Sequence, residues 1–160
     1  MQRQILVKDI MTQDVIFVTP DTQVPDIASL LNKYKISGVP VVDNGKILGI
    51  VTEEDLIIRT AIIDTPHVFS LFDSVFYFGK KKEFEKELTS VLATNASELM
   101  TAHVLTIDET ATVQDLATLM MKKDINPVPV VNANGELSGI VSRSDIIRLM
   151  ALEEEAGSKE

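Results

Sequence analysis

The chain carries one series of four short motifs twice, in the same order and at nearly the same spacing. The first copy reads Ile10-Met11-Thr12, Val15-Ile16-Phe17-Val18, Val39-Pro40-Val41-Val42 and Gly49-Ile50-Val51-Thr52-Glu53-Glu54-Asp55. The second copy reads Leu99-Met100-Thr101, Val104-Leu105-Thr106-Ile107, Val128-Pro129-Val130-Val131 and Gly139-Ile140-Val141-Ser142-Arg143-Ser144-Asp145. Coincidence is a poor explanation for four aligned blocks. An internal repeat of this kind predicts two copies of one supersecondary unit.

Each copy predicts a strand, a helix, a hairpin of two strands and a second helix. Val15–Val18 is short and β-branched, which predicts the first strand. The apolar residues from Val24 to Leu31 then recur at helical spacing. The run Val39–Val42 is continuously apolar, which is typical of a buried strand. Asn44-Gly45 predicts a tight hairpin, and Asn134-Gly135 repeats it with one extra residue in the loop.

The helix boundaries carry their own signals. Each return strand leads directly into a helix that begins at Thr52 or at Ser142. In the second repeat, Thr112 has the right side chain to cap a helix, and Asp115 falls in the first turn, where acidic residues are favoured.

One such unit of about 50 residues would be only marginally stable alone. We therefore expect a mixed α/β (α+β) fold, in which two β-α-β-β-α repeats pack sheet to sheet about a pseudo-two-fold axis. We place the first repeat at 1–64, a helical insert at 65–95, the second repeat at 96–152 and an acidic, frayed tail at 153–160. The insert has aromatic residues at helical spacing (Phe69, Phe72 and Phe76) and then a charged amphipathic segment, Lys81–Leu92.

Composition narrows the class of function. With 45% hydrophobic residues the chain can bury a core, and its net charge of −9 disfavours binding to nucleic acid or to anionic membranes. The chain has no cysteine, and no apolar run is long enough for a signal peptide or a membrane span. We expect a soluble, cytoplasmic protein.

Together these motifs resemble CBS domains, named after cystathionine β-synthase. The resemblance lies in two copies of Gly-apolar-x-apolar-(Thr/Ser)-x-x-Asp, each preceded by an apolar-Pro-Val-Val strand and an upstream Met-Thr. It covers both repeats. It implies a regulatory module, not an enzyme, that binds an adenosine compound (AMP, ADP, ATP or S-adenosylmethionine) and needs no metal or other cofactor. It also implies a homodimer that signals to a separate effector protein, which the sequence does not identify.

The chemistry of the repeated motif can also be argued from the residues. Thr52 and Ser142 lie where a strand meets a helix, and the N–H groups there favour an anion such as phosphate. Asp55 and Asp145 follow one turn later, and a carboxylate can accept two hydrogen bonds from the vicinal hydroxyls of a ribose. Thr-x-x-Asp and Ser-x-x-Asp are equally capping-box patterns, in which the carboxylate bonds back to the cap N–H. The residues alone leave both interpretations open.

The resemblance implies two composite sites, each built from both repeats. One joins Ile140, Ser142 and Asp145 to Ile16, Ile36, Ser37 and Gly38. The other joins Ile50, Thr52 and Asp55 to Leu105, Ile125, Asn126 and Pro127.

The two sites differ in sequence. Arg143 follows Ser142 and could meet a phosphate, whereas Glu53 follows Thr52 and would repel one. Gly38 allows close approach of a ligand, whereas Pro127 has no N–H to offer. We therefore predict that the Ser142/Asp145 site is the tighter, phosphate-bearing site.

No other motif predicts chemistry. His67 and His103, the two histidines, have no partner at metal-ligand spacing, and no nucleophile–His–Asp set or phosphate loop is present. A sensor of an adenosine compound is the leading hypothesis. The alternatives are a ligand-free structural or interaction module, whose motifs are only helix caps, and a nucleotide hydrolase.

Overall fold

The computed structural model describes residues 4–63 and 92–157, which form two three-stranded sheets flanked by helices. The strands are β1 Gly38–Asp43, β2 Lys46–Thr52, β3 Thr101–Ala102, β4 Ile107–Asp108, β5 Val128–Val131 and β6 Leu137–Val141. The helices are α1 Val7–Ile10, α2 Val24–Tyr34, α3 Glu53–Ile63, α4 Ala96–Leu99, α5 Val113–Lys123 and α6 Arg143–Gly157. The predicted mixed α/β fold with two repeats is confirmed.

The local signals place most of these elements correctly. Helix α2 buries Val24, Ile27 and Leu31 on one face, and β1 is buried over all but its last residue. Thr112 caps α5 in a complete capping box with Asp115. The hydrogen bonds from the Thr112 hydroxyl and then from its backbone N–H stabilise the ionised carboxylate, so the pKa of Asp115 lies below its usual value.

The first strand of each repeat is shorter than predicted. In the first repeat only Val18 pairs, through a single parallel bridge to Val41, and in the second only Ile107–Asp108 forms a strand. Val18 donates to the carbonyl of Pro40 and accepts from Val42. The next bond of a parallel ladder would need an N–H from Pro40, which proline lacks. Pro129 occupies the equivalent position in the second repeat and ends that ladder in the same way.

The two Asn-Gly turns differ because of the extra residue. Asn44 and Gly45 both have positive φ angles, 47° and 76°, which is the two-residue type I′ hairpin. In the second hairpin Gly135 has a φ of 76°, and its N–H bonds to the carbonyl of Asn132. The insertion of Ala133 thus converts the turn into a three-residue loop with glycine in the left-handed position.

The two repeats exchange their first helices. Helix α1 packs on the second repeat, where Val7 joins the core formed by Leu116, Met120 and the strand β5. Helix α4 packs on the first repeat, where Ala96 and Leu99 join the core around Ile27. The packed units therefore do not coincide with the repeats of the sequence.

Backbone hydrogen bonds hold both exchanged segments in equivalent ways. Val7 N–H donates to the Ala111 carbonyl at 2.8 Å, and Ala96 N–H donates to the Thr22 carbonyl at 2.8 Å. Each exchanged segment also extends a sheet: β3 pairs with β2, and Thr12 bridges Ile140 on β6. These paired contacts give the pseudo-two-fold relation that the repeat predicts.

A methionine at the end of each exchanged helix packs on a glycine of the other repeat. A Cβ atom added to Gly49 would lie 2.6 Å from Met100 Sδ and 2.6 Å from the Thr101 carbonyl oxygen. A Cβ atom added to Gly139 would overlap Met11, with Cγ at 2.8 Å, and would lie 3.1 Å from the Thr12 carbonyl oxygen. The two glycines allow the exchanged segments to lie flat on the strands.

Helix α6 is longer than the sequence predicts, and most of the predicted insert lies outside the described residues. The tail predicted to fray from 153 instead continues α6 to Gly157, because Ala151–Ala156 contains only good helix formers. The predicted aromatic stripe Phe69, Phe72 and Phe76, and His67, lie outside the described residues. So does the predicted helix Lys81–Leu92, except for its last residue. No helix in the described ranges has the length and apolar character needed to cross a membrane.

We predict that Gly49→Ala and Gly139→Ala each lower the free energy of unfolding by about 1–3 kcal/mol, as overpacking does. The physical reason is that neighbouring atoms leave no room for a Cβ atom at either glycine. Chemical denaturation of the purified variants measures the change.

Double-mutant cycles distinguish the steric conflict at Gly139 from the conflict at Gly49. Met11→Ala should relieve part of the cost of Gly139→Ala, because the overlapping atoms belong to the Met11 side chain. Met100→Ala should relieve less of the cost of Gly49→Ala, because the Thr101 carbonyl oxygen stays at 2.6 Å. Unchanged stability in both glycine variants would contradict this account of the exchange.

Candidate functional site

A cavity of about 260 Å³ opens where the start of α6 meets the first repeat. Its lining contains all seven residues that the resemblance assigns to the first composite site: Ile140, Ser142, Asp145, Ile16, Ile36, Ser37 and Gly38. In the second repeat these residues come from β6, from α6 and from the junction between them. In the first repeat they come from the segments before α2 and β1 and from the first residue of β1. The structure thus brings the predicted set together, and the repeats form the cavity jointly.

Asp145 lines this cavity and is 7% exposed. Its Oδ2 atom accepts from Ser142 N–H at 2.7 Å and from the Ser142 hydroxyl at 3.0 Å, while Oδ1 accepts from Arg148 at 2.7 Å. An ionised carboxylate offers about four acceptor positions, so these bonds leave room for one further donor. The Asp145 side chain is therefore a helix cap that still faces the cavity.

Asp55 caps its helix in the same way. Its Oδ2 atom accepts from Thr52 N–H at 2.8 Å and lies 3.4 Å from the Thr52 hydroxyl. The capping interpretation of the motif is thus observed in both repeats. At Asp145 the cavity beside the cap stays open, so capping and ligand binding are compatible there.

Arg143 does not line the cavity. Its guanidinium Nη2 donates to Asp124 Oδ1 at 3.0 Å, and both side chains are largely exposed. The sequence placed Arg143 where it could meet a phosphate, but a carboxylate on the loop after α5 attracts it away. The prediction of tighter phosphate binding at the Ser142/Asp145 site relied partly on Arg143, and in the structure this side chain is not directed to the cavity.

The backbone N–H groups at the start of α6 are already bonded. Besides the bond from Ser142 N–H to Asp145, the Arg143 N–H donates to Asn126 Oδ1 at 2.9 Å. The Asp145 N–H donates to the Ser142 carbonyl at 3.1 Å. A phosphate at this helix start would have to displace these partners.

The residues predicted for the second composite site are placed differently. Asn126 donates to the Ser37 hydroxyl at 3.4 Å and so connects the two repeats, while Pro127 lines the first cavity. A Cβ atom added to Gly38 would lie 2.8 Å from Pro127 Cδ, so the glycine is needed for this approach. Ile50 is 6% exposed and Leu105 is 44% exposed. The lining of the first cavity includes none of these other predicted residues: Ile50, Thr52, Asp55, Leu105, Ile125 and Asn126.

Sequence reasoning missed several parts of the first cavity. Thr12 and Asp14 enter it because the exchanged segment after α1 pairs with β6, and Lys35, Glu53, Pro127, Val141 and Ser144 complete it. The sequence predicts Glu53 beside the other site, but its backbone N–H donates to the Ser37 carbonyl at 2.9 Å, which brings it to this one. The helix exchange leaves no direct signal in the motif spacing.

The described residues contain a second cavity, which the sequence does not predict. A second cavity of about 410 Å³ lies between the two hairpins, lined by Lys46, Ile47, Leu48, His103, Val104, Thr106, Val131 and Gly135. His103 is exposed and has a φ of 54°. Within residues 4–63 and 92–157, no group of three or more histidine, aspartate or glutamate side chains could hold a metal ion.

Solved structures with this fold are known. The chain is similar to CBSX2 in complex with AMP, with a TM-score of 0.76 and 28% identity over 94% of this chain and 99% of that one. It is also similar to the CBS domain pair of protein MJ0100 in complex with 5′-methylthioadenosine and S-adenosyl-L-methionine, with a TM-score of 0.71 and 28% identity. That match covers 94% of this chain and 99% of the other.

Sequence comparison agrees with the structural likeness. Uncharacterized protein MJ1426 of Methanocaldococcus jannaschii is 34% identical over 154 residues, which cover 91% of this chain and 90% of that protein. The sequence model of the CBS domain matches residues 7–60 and 96–152, which are the two repeats and most of the chain. The chain therefore belongs to the CBS domain family, as a pair of CBS domains.

Proposed function

We propose that this chain is a non-catalytic regulatory module that binds an adenosine compound in the cavity beside Asp145. The observation that carries the proposal is the cavity itself, because both repeats line it with apolar, hydroxyl and carboxylate groups. Its volume of about 260 Å³ is close to the lower end of the range for small-molecule sites, about 300–1,000 Å³. Two similar structures hold AMP, or 5′-methylthioadenosine and S-adenosyl-L-methionine.

Each part of an adenosine has a matching surface. Ile16, Ile36 and Ile140 are half-buried and offer an apolar slot for a purine ring. Asp145 has an acceptor position left for a ribose hydroxyl, and the Ser142 hydroxyl can turn towards the second hydroxyl. Ser142 now lies 2.6 Å from Ser144 Oγ, so a ligand would replace one short hydroxyl contact with another.

The same geometry supplies a means of regulation. A ligand that touches both repeats binds best at one relative placement of them, and only this differential affinity can shift a conformational equilibrium. A coupling of about 1–3 kcal/mol is typical of such modules. The output would pass to a separate effector protein. The cytoplasmic location stays a prediction from the sequence.

We expect Asp145→Asn to weaken binding of adenosine and 5′-methylthioadenosine by about tenfold or more, because a hydrogen bond to a charged group contributes about 1.5–3 kcal/mol. Asparagine can still accept from Ser142 N–H, so the helix cap survives. Isothermal titration calorimetry on the purified chain, freed of bound metabolites, measures the change.

Asp55→Asn is the matched control, because Asp55 makes the same cap bond but does not line this cavity. An equal loss in both variants would point to a general effect of the cap. If the wild-type chain bound no adenosine compound at millimolar concentration, the ligand-free structural or interaction module would be the better description. That alternative is favoured by the caps that both carboxylates form.

We further propose that the module forms a homodimer through α3 and α6. Ile57 and Ile147 occupy equivalent positions on these helices, and each is 65% exposed. Met150, also on α6, is 55% exposed. A two-fold dimer places the same patch of both subunits in contact, so association through this patch would bury the exposed apolar side chains of both copies.

Replacing both isoleucines by glutamate should convert the dimer to a monomer, because the like charges would be buried against one another. Sedimentation velocity measures the assembly state, and Glu54→Gln, an exposed change on the same helix, serves as the control. A monomeric wild-type chain at micromolar concentration would contradict the dimer.

A further inference from the structure

We infer that the cavity beside Asp145 selects adenosine compounds whose 5′ substituent is neutral or cationic over those that carry a di- or triphosphate. The inference rests on the proposed function and specifies the ligand class of the same site. It follows from the charges of the lining and from the hydrogen bonds of the start of α6.

Among the described residues of the lining, carboxylates outnumber cations. Asp14, Glu53 and Asp145 line the cavity, and Lys35 is the one basic residue in that described set. Arg148 pairs with Asp145 and offsets its charge. Asp14 and Glu53 then stand against the single ammonium group of Lys35, and both carboxylate side chains are exposed. A 5′ substituent that extends from the cavity towards solvent would pass close to this net negative charge.

The cations of the neighbourhood have other partners. Lys35 Nζ donates to Asn32 Oδ1 at 3.0 Å, and Arg143 is turned to Asp124 at 3.0 Å. A phosphate would have to draw either side chain from its present contact. Lys35 can reorient at little cost because the bond is exposed, whereas Arg143 would leave a salt bridge.

The helix start offers little to an anion. The amides of Ser142, Arg143 and Asp145 donate to Asp145 Oδ2, to Asn126 Oδ1 and to the Ser142 carbonyl. Helix N-termini bind phosphate through N–H groups that have no other acceptor. With these three amides bonded and a carboxylate as the cap, the start of α6 is poorly suited to that role.

The chemistry of the 5′ group then decides the selection. A phosphate ester carries about −1.5 to −2 charges at pH 7, and a triphosphate carries more. Asp14 and Glu53 would repel each of these negative charges, and few hydrogen-bond donors are available to offset the repulsion. A thioether carries no charge, and a sulfonium is a cation that the same carboxylates attract.

The test compares ligands and charge variants in low-salt buffer. Titration calorimetry of the wild-type chain with 5′-methylthioadenosine, S-adenosylmethionine, AMP and ATP gives four dissociation constants. We expect ATP to bind at least about tenfold more weakly than 5′-methylthioadenosine, since each pair of solvent-exposed charges changes affinity roughly two- to fivefold and ATP carries several charges. Glu53→Gln and Asp14→Asn should each reduce the ratio of the ATP dissociation constant to the 5′-methylthioadenosine dissociation constant by roughly two- to fivefold. Added salt should reduce the same ratio, because it screens the repulsion between the charges.

Glu54→Gln is the matched control, because Glu54 neighbours Glu53 and does not line the cavity. Its ratio of affinities should equal that of the wild-type chain. ATP binding as tight as 5′-methylthioadenosine binding, or a ratio unchanged in Glu53→Gln and Asp14→Asn, overturns the inference while leaving the proposed function intact. If no adenosine compound bound, both the inference and the proposed function would be contradicted.

Discussion

Each CBS repeat of this chain is completed by a helix that belongs to the other repeat. The exchange is fixed by paired backbone hydrogen bonds, such as Val7 to Ala111 and Ala96 to Thr22, and by methionines lying on Gly139 and Gly49. A single repeat would lack part of its core and one edge of its sheet. The two repeats therefore have to fold as a pair, and the cavity between them depends on that pairing.

The exchange also decides the composition of the cavity. Thr12 and Asp14 reach it only because the segment after α1 pairs with β6 of the second repeat. A ligand held there would contact the exchanged segment, the first hairpin and the start of α6 at once. Binding and the relative placement of the repeats are then coupled through short, direct contacts and need no longer pathway.

Asp145 caps α6, and in the proposed function the same side chain also binds the ligand. Its bonds to Ser142 satisfy a backbone N–H that would otherwise be left without a partner at the helix start. The same bonds and the bond to Arg148 fix the carboxylate in one orientation beside the cavity. A site built on a helix cap is pre-organised, because the folded state already holds the acceptor in place.

The sequence by itself determined the duplication, the two hairpins and the main helices, because hydrophobic spacing, turn residues and a repeated motif are properties of neighbouring positions. The grouping of seven residues around the first cavity follows from the resemblance of the repeated motif to CBS domains. Only the tertiary structure decided the helix exchange, the length of the first strands and the direction of Arg143. The exchange depends on backbone contacts such as Val7 to Ala111 and Ala96 to Thr22, which join residues more than 70 positions apart. The first strands end at prolines across the ladder, and Arg143 is attracted by Asp124 on another loop. No local pattern contains those distant partners, so the charge of the cavity could be read only from the folded chain.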